Sequence, residues 1–333
     1  MPSIMSEVIH VAVAAIVNQN NEVLISRRAE NSHQGGLWEF PGGKVEKNET
    51  VESALAREIL EELGIQLVSF RPLIKIAHQY ADKKVLLDVW RVDNFIGNPT
   101  GLEGQPVRWQ AICELDELKF PEADIAIKRA LNLPEHHLIT GKFKTEQEFE
   151  LRLSRAIGKG IKLVQLRLTD EWLRETGQSS AMRIVEAAVS LSGQSNLTLM
   201  LNLPDAIEDA AYKLLSELPG SSRWSYGIHL NSRKLGNISN RPEGFLLSAS
   251  CHNCSELKKA QELNVDFVLL SPVKATASHP EALPLGWGGF SELVDQVNVP
   301  VYALGGMKKE DSNKARSAGG QGIAAIGNLW DPE

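Results

Sequence analysis

The sequence predicts two units in tandem, a mixed α+β unit followed by a closed parallel α/β barrel. Three observations carry this. The chain has 333 residues, and at roughly 150 residues per domain that is length enough for two. Its rhythm changes at Asn132-Leu133-Pro134-Glu135, which reads as a short linker. Beyond it, short apolar runs alternate with helix-like stretches eight times, the pattern of strands and helices wound into a barrel. The expected divisions are residues 1–131, a linker over 132–136, and residues 137–333.

Composition narrows the function classes. Hydrophobic residues make up 43 % and charged residues 23 %, as in ordinary globular proteins, which excludes a disordered or fibrous chain. The formal charge is −7, from 35 basic and 42 acidic side chains. No basic field is available for a nucleic-acid backbone, so no stable nucleic-acid partner is expected. Three cysteines exclude a disulfide scaffold and fit a reducing compartment, so a cytoplasmic location is expected. The apolar run Val8–Val17 contains His10 and is too short to span a bilayer, so no membrane association is expected.

In the first unit, strand-like runs Ile9–Val17 and Glu22–Ser26 flank the turn-prone Asn18-Gln19-Asn20-Asn21. A loop rich in Gly and Pro, residues 35–43, leads to a helix over Val51–Leu63 that Gly64 stops. Strands are expected at Lys75–Tyr80 and Val85–Val92, and a last helix at Glu122–Leu131. The eight runs of the second unit are His137–Ile139, Leu163–Leu168, Leu197–Leu201, Tyr226–Leu230, Gly244–Ser248, Phe267–Leu270, Val301–Leu304 and Gly322–Ile326. Helices fall between most of them, for example at Glu146–Ile157, Ala181–Leu191, Ala206–Leu218 and Glu256–Leu263.

The helix Val51–Leu63 carries its carboxylates in an unusual place. At about 100° per residue, Val51, Leu55, Ile59 and Leu63 form one apolar stripe. Glu58 and Glu62 fall inside that stripe, and Glu61 falls on its edge. An unpaired carboxylate on a packing face costs several kcal/mol, so these groups need a partner or a cavity. A hard divalent cation suits carboxylates at i, i+3 and i+4, because magnesium prefers oxygen ligands and shares them with substrate phosphates. A solvated glutamate-rich face is the alternative for the helix taken alone.

The segment before the helix decides between these. After Gly42-Gly43 come five residues, Glu49, seven more, and then Arg57-Glu58-Ile59-Leu60-Glu61-Glu62-Leu63-Gly64-Ile65. This matches the Nudix box at every specified position. The first unit, over about residues 7–131, therefore resembles Nudix hydrolases of α+β fold, a mixed sheet with helices. Within them it is most similar to the MutT type, which hydrolyses oxidised guanine nucleotides. Ile25-Ser26-Arg27-Arg28, Trp38-Glu39-Phe40-Pro41-Gly42-Gly43-Lys44, Gly104-Gln105-Pro106 with Trp109, and Phe120-Pro121 belong to the same likeness.

The resemblance implies metal-assisted hydrolysis with Mg2+, or Mn2+, as cofactor and a nucleoside triphosphate as substrate. It implies metal-binding or base roles for Glu58, Glu61, Glu62 and the loop carboxylate Glu103, with Glu58 and Glu103 both open as the base. Gly42 or Gly43 would offer a backbone carbonyl to the metal, while Glu49 and Arg57 would pair structurally. Arg28, His33, Phe40 and Asp124 match the nucleotide pocket. At the last of these the best-known member has Asn; an amide both donates and accepts, whereas an ionised Asp only accepts and a protonated one does both.

In the second unit, Val164-Gln165-Leu166-Arg167, Gly227-Ile228-His229-Leu230, Ser250-Cys251-His252-Asn253, Ser271-Pro272-Val273 and Ala303-Leu304-Gly305-Gly306-Met307 resemble segments of thiamine-phosphate synthases, which are TIM barrels. The likeness implies ligand or phosphate contacts at Gln165, Arg167, Ser271, Gly305 and Gly306. It also shows departures. Thr169 stands where those enzymes have lysine, Leu203 where they have aspartate, and Asn231-Ser232-Arg233-Lys234 replaces a Gly-Gln-x-Asp run. Both acids that would hold magnesium are missing, so synthase activity is not expected.

Two weaker signals remain. Cys251-His252-Asn253-Cys254 is half a zinc site without a second half, and His279 is a loop histidine open to a barrel role. The expectation for the whole chain is hydrolysis of 8-oxo-dGTP to monophosphate and pyrophosphate, with an accessory barrel. The alternatives are hydrolysis of a thiamine-related diphosphate and sensing of a phosphorylated vitamin precursor by the barrel. A homodimer is left open.

Overall fold

The computed structural model describes residues 8–31, 34–81, 83–218, 224–276 and 281–330. His33 and His279 lie outside them. The chain divides into two compact units between Asn132 and Leu133.

The first unit is built on β1 (Val8–Ile16), which pairs in parallel with β6 (Lys84–Ile96) and antiparallel with β4 (Gly42–Lys44). β5 (Gln66–Gln79) extends this sheet beyond β6. A second sheet sets β2 (Glu22–Arg27) between β3 (Trp38–Glu39) and β7 (Val107–Ala111). β1 reads as one continuous apolar run because both its faces are covered. Val13 and Ala15 face one core with Phe40 and Ile127, while Ala12, Ala14 and Ile16 face another with Leu55 and Ile59.

The helix α1 (Val51–Leu63) has the expected bounds, opened by Thr50, whose side chain accepts from the Ser53 N–H, and closed by Gly64. Two strands depart from expectation. β5 begins at Gln66 rather than Lys75, because Arg71-Pro72 masks its first half; proline lacks the ladder N–H, and the register shifts between Pro72 and Ile74. β7 was not anticipated, and its short run is held by pairing with β2. The last helix starts as a tight turn, Glu122–Asp124, before α2 (Ile125–Asn132).

The second unit is a closed barrel of eight parallel strands: β8 (His136–Ile139), β9 (Leu163–Arg167), β10 (Thr198–Asn202), β11 (Tyr226–Leu230), β12 (Leu246–Cys251), β13 (Phe267–Leu270), β14 (Val301–Ala303) and β15 (Gly322–Ala325). Pairing of β15 with β8 closes it. Alternation sorts the side chains. Leu163, Met200, Phe267 and Tyr302 pack inside, and Val164, Leu166, Val268 and Val301 pack outward under the helices. Among these helices are α3 (Glu146–Gly158), α4 (Asp170–Thr176), α5 (Gln178–Ser195), α6 (Asp205–Ser216), α7 (Ser232–Asn237) and α8 (Cys254–Glu262). β12 lies later in the chain than the expected run Gly244–Ser248.

Of the segment expected as a linker, Asn132 ends α2, His136 opens β8, and Leu133 and Pro134 between them are tied into the barrel. Leu133 is buried, the Gln321 amide donates to its carbonyl at 2.8 Å, and the Tyr302 hydroxyl donates to the Pro134 carbonyl at 2.5 Å. These bonds satisfy buried polar groups that would otherwise be orphaned, which is why the segment does not stay free. Among the described residues, no helix is long and apolar enough to cross a membrane.

Phe149, on α3, is fully buried in the outer core of the barrel. Phe149→Ala is expected to cost about 3–5 kcal/mol of stability, read as an earlier urea-denaturation midpoint for the barrel.

Candidate active site

α1 buries Ala54, Leu55, Ile59 and Leu63, and holds Glu58 and Glu62 half-buried beside them. What makes room for Glu58 is the absence of a side chain opposite: a Cβ on Gly43 would fall inside the van der Waals envelope of the Glu58 carboxyl group. On the same strand, the Gly42 N–H donates to Glu62 Oε2 at 3.2 Å.

Arg57 binds the parts together. Its Nε and Nη2 donate to Glu49 Oε1 and Oε2 at 3.0 and 2.9 Å, a two-pronged pair. Nη2 also donates to the Lys44 carbonyl at 3.1 Å, and Nη1 reaches Glu58 at 2.8 Å and Glu61 at 3.4 Å. Loop, strand and helix therefore share one guanidinium. Glu61 is exposed and shares the Arg57 Nη1 with Glu58.

A second loop closes over the end of α1. The N–H of Thr100 donates to the Leu63 carbonyl, and both the Leu102 N–H and the Gln105 amide donate to the Glu62 carbonyl. These bonds satisfy carbonyls that a helix end leaves open. Gln105 also accepts from the Glu103 N–H at 2.9 Å, which fixes the backbone of Glu103 near the end of the helix. Burial pushes the Glu62 carboxyl up to about 7, helped by the Glu103, Glu39 and Glu58 carboxylates and opposed by the Gly42 N–H.

Glu39 connects this carboxylate group to a second one. It pairs with Arg28, and burial raises its acid against that pairing. Arg28 and Glu39 in turn face Asp124, which is 7 % exposed. Phe40 is buried and stacks on Phe120 with ring centroids 5.3 Å apart. Arg28, Phe40 and Asp124 thus belong to the same end of the unit.

The donor set fits a hard divalent cation. Its side-chain donors are all carboxylate oxygens, and the Glu58 carboxylate lies in a cradle that a Cβ on Gly43 would fill. The mutual repulsion that raises Glu62 is relieved by positive charge. Among the described residues, no group of three His, Cys, Asp or Glu side chains is closed around one point.

In the barrel, a cavity of about 860 Å³ opens at the carboxyl ends of the strands. Gln165, Arg167, Ser271, Gly305 and Gly306 all line it. Gly305 and Gly306 have φ of 98° and 65°, and a Cβ on Gly305 would lie 2.9 Å from the Pro272 Cα, so both positions demand glycine. Gln165 Oε1 is buried there with no partner among the described residues. His229 is held between Ser248 and Ser250, 2.8 Å from each hydroxyl, and burial holds its pKa down to about 3, so the ring is neutral.

Lys234 is turned away from the cavity. Its ammonium pairs with Asp205 at 3.0 Å and with Glu208, and donates to the Leu203 carbonyl at 2.9 Å. In the cysteine pair, Asn253 caps α8 by accepting from the Glu256 N–H, and His252 Nδ1 lies 2.9 Å from the Glu256 carboxylate.

Known proteins divide the chain at the same place. Residues 12–130 match the model of the NUDIX domain, and residues 136–329 match that of thiamine monophosphate synthase. The 8-oxo-dGTP diphosphatase of Escherichia coli K12 is 40 % identical over 116 residues, which is 35 % of this chain and 90 % of that protein. The chain belongs to both families. The CTP pyrophosphohydrolase of the same organism is 35 % identical over 118 residues, 35 % of this chain and 87 % of that one. On the barrel side, an Aquifex aeolicus protein provisionally named thiamine-phosphate synthase 2 is 30 % identical over 198 residues, 59 % of this chain and 97 % of that protein.

The Nudix unit is accordingly a hydrolase. Two of its site residues escaped the sequence reading. Glu39 was read only as part of a motif, although a charge between Trp38 and Phe40 on a short strand must face away from both rings. Gln105 likewise was read only within Gly104-Gln105-Pro106, and being uncharged it gave no sign of a role of its own. In the synthase-like barrel, Ser250 and His252 line the cavity without having been assigned to it, and His229, which the likeness does implicate, lies beside it through its bond to Ser250.

Gly43→Ala is expected to displace the Glu58 carboxylate and lower turnover about a hundredfold or more, by loss of positioning. The helical content, read by circular dichroism, should hold.

Proposed function

We propose that the Nudix unit hydrolyses an oxidised purine nucleoside triphosphate, 8-oxo-dGTP, to the monophosphate and pyrophosphate, and so keeps it out of DNA. The observation that carries this reading is continuity: Glu62 feels Glu39, Glu39 pairs with Arg28, and both face Asp124. One site therefore offers acidic oxygens at one end and a ring with hydrogen-bonding groups at the other, as a nucleotide needs.

Glu58, Glu61, Glu62 and Glu103, with a carbonyl of Gly42 or Gly43, would hold magnesium, or manganese in its place. When bound, the cation would neutralise phosphate oxygens and make a water more acidic. Glu58 or Glu103 takes the proton from the attacking water, and Arg57 keeps the helix, strand and loop in register while this happens. At the other end, Phe40, buried against Phe120, backs the pocket, and Arg28 and Asp124 read the edge of the base.

The barrel supports a second reading, a binding site for a phosphorylated small molecule of vitamin-precursor type. The observation that favours it is the orphaned Gln165 Oε1 in a cavity that also holds Arg167 and the Gly305-Gly306 turn. With Leu203 and Lys234 at the acidic positions, such a ligand would bind without magnesium.

The test is turnover with magnesium on 8-oxo-dGTP, dGTP, the other deoxynucleotides, CTP and thiamine diphosphate. For 8-oxo-dGTP, kcat/KM is expected to exceed that for dGTP at least about tenfold, and Glu62→Gln should lower it about a hundredfold or more. Faster cleavage of CTP or thiamine diphosphate would overturn the assignment. Calorimetry with thiamine monophosphate addresses the barrel: binding that survives both Glu62→Gln and chelation of metal is expected, and none at millimolar ligand would sink that second reading.

A further inference from the structure

Glu103 sits on the loop between β6 and β7, residues 97–106, where no helix or strand holds it. It is exposed, and it lies close enough to Glu62 to repel it, as Glu39 and Glu58 also do. Like charges crowded in this way drive a loop acid outward. Arg57 does not hold it back, being engaged by Glu49, Glu58 and Glu61. Among the described residues, no ion pair closes on Glu103.

The loop is pinned on either side of this residue. The Thr100 and Leu102 N–H groups donate to the Leu63 and Glu62 carbonyls at 3.1 and 2.9 Å, and the Arg27 N–H of β2 donates to the Pro106 carbonyl at 3.0 Å. Between these points the chain reverses. The Gly104 N–H reaches the Gly101 carbonyl at 3.2 Å, and Gly104 has φ of 81°, a conformation that favours glycine. A Cβ on Gly101 would lie 1.9 Å from the Gln105 carbonyl oxygen and 3.1 Å from Gln105 Oε1, so glycine also leaves the space that Gln105 fills. The half-buried Gln105 amide then uses both its ends. Nε2 donates to the Glu62 carbonyl at 3.2 Å, and Oε1 accepts from the Glu103 N–H at 2.9 Å. Among the described residues, this is the one hydrogen bond made by the Glu103 backbone.

We propose that Gln105 is a positioning residue for the hydrolysis: its amide joins the backbone of Glu62 to that of Glu103, and so keeps the loop acid beside the acids of α1. This rests on the reading of the unit as one that hydrolyses a nucleoside triphosphate with Glu103 among its acids. The bridge needs a donor and an acceptor on one side chain. A carboxylate at this position would set an acceptor against the Glu62 carbonyl, asparagine would fall one methylene short, and an apolar chain would make neither bond. A misplacement of about 1 Å costs a reacting group about a hundredfold in rate. Loss of the amide therefore acts as a partial loss of Glu103 itself.

The experiment is a double-mutant cycle in the full-length protein, with Gln105→Met, Glu103→Gln and the two together, on whichever nucleotide of the panel above is cleaved fastest. Gln105→Met is expected to lower kcat about tenfold or more, with KM held within about threefold. In the Glu103→Gln background the same change is expected to cost less than about twofold, because the acid it positions is already gone. A loop that had merely been weakened would lose as much in both backgrounds. Equal losses in the two backgrounds overturn the proposal and leave the reading of the site standing, as does full turnover by Gln105→Met beside an impaired Glu103→Gln. If Glu103→Gln turns over as the unaltered protein does, the role given to Glu103 fails and the proposal with it. Amide hydrogen exchange in the metal-free protein gives a readout apart from turnover. The Glu103 N–H is expected to exchange about tenfold faster in Gln105→Met, as for one lost hydrogen bond, while the amides of α1 keep their protection. Unchanged exchange at Glu103 would overturn the proposal. Should Gln105→Met fail to fold, Gln105→Asn, which keeps the amide and lacks the reach, carries the same expectations.

Discussion

The amino-terminal site depends on how closely the backbone of β4 can approach α1. A helix that packs through one face has no room there for a carboxylate unless the opposing strand gives up a side chain, and Gly43 does so. Once Glu58 occupies that space, the rest is constrained. The charge on the packing face needs a counter-charge, and Arg57 supplies it while also gripping Glu49 and the Lys44 carbonyl. The Gly42 N–H takes Glu62. Strand, helix and loop are thus tied by the same few polar contacts that keep the acidic oxygens in place. The geometry of the site and the stability of its surroundings share their parts.

The same unit separates its charges by environment. Glu61 is solvated, whereas Glu62, Glu39 and Asp124 are drawn progressively out of water. Arg28 is engaged by Glu39, so the pocket carries more acid than base. An anionic substrate cannot enter such a field unless positive charge enters with it. That is the electrostatic reason a divalent cation belongs in the proposed chemistry. The barrel has taken another course. Lys234 stands where the likeness to thiamine-phosphate synthases implies an acid, and it neutralises Asp205 and Glu208.

Much of this was legible in the sequence. α1 could be read to the residue because its signals are local: a threonine cap, a glycine stop and an apolar stripe. The carboxylates could be read as misplaced because helix periodicity is strict. The barrel was visible as a count of alternating runs. What could not be read depends on partners distant in the chain. β7 is a strand only because β2 lies beside it, and the first half of β5 is hidden by Pro72. Glu39 and Gln105 matter through what they touch. The environment of Asp124, which sets its charge, comes from four separate segments.

The floor of the barrel carries a last consequence. α2 ends at Asn132, and Leu133 already belongs to the barrel, where its carbonyl and that of Pro134 accept from Gln321 and Tyr302. A barrel cut free at the first residue of its first strand would lose the plug beneath its interior, and two buried donors would face empty space. The barrel therefore begins ahead of its first strand, at Leu133, and a cut that is to leave it whole has to fall before that residue.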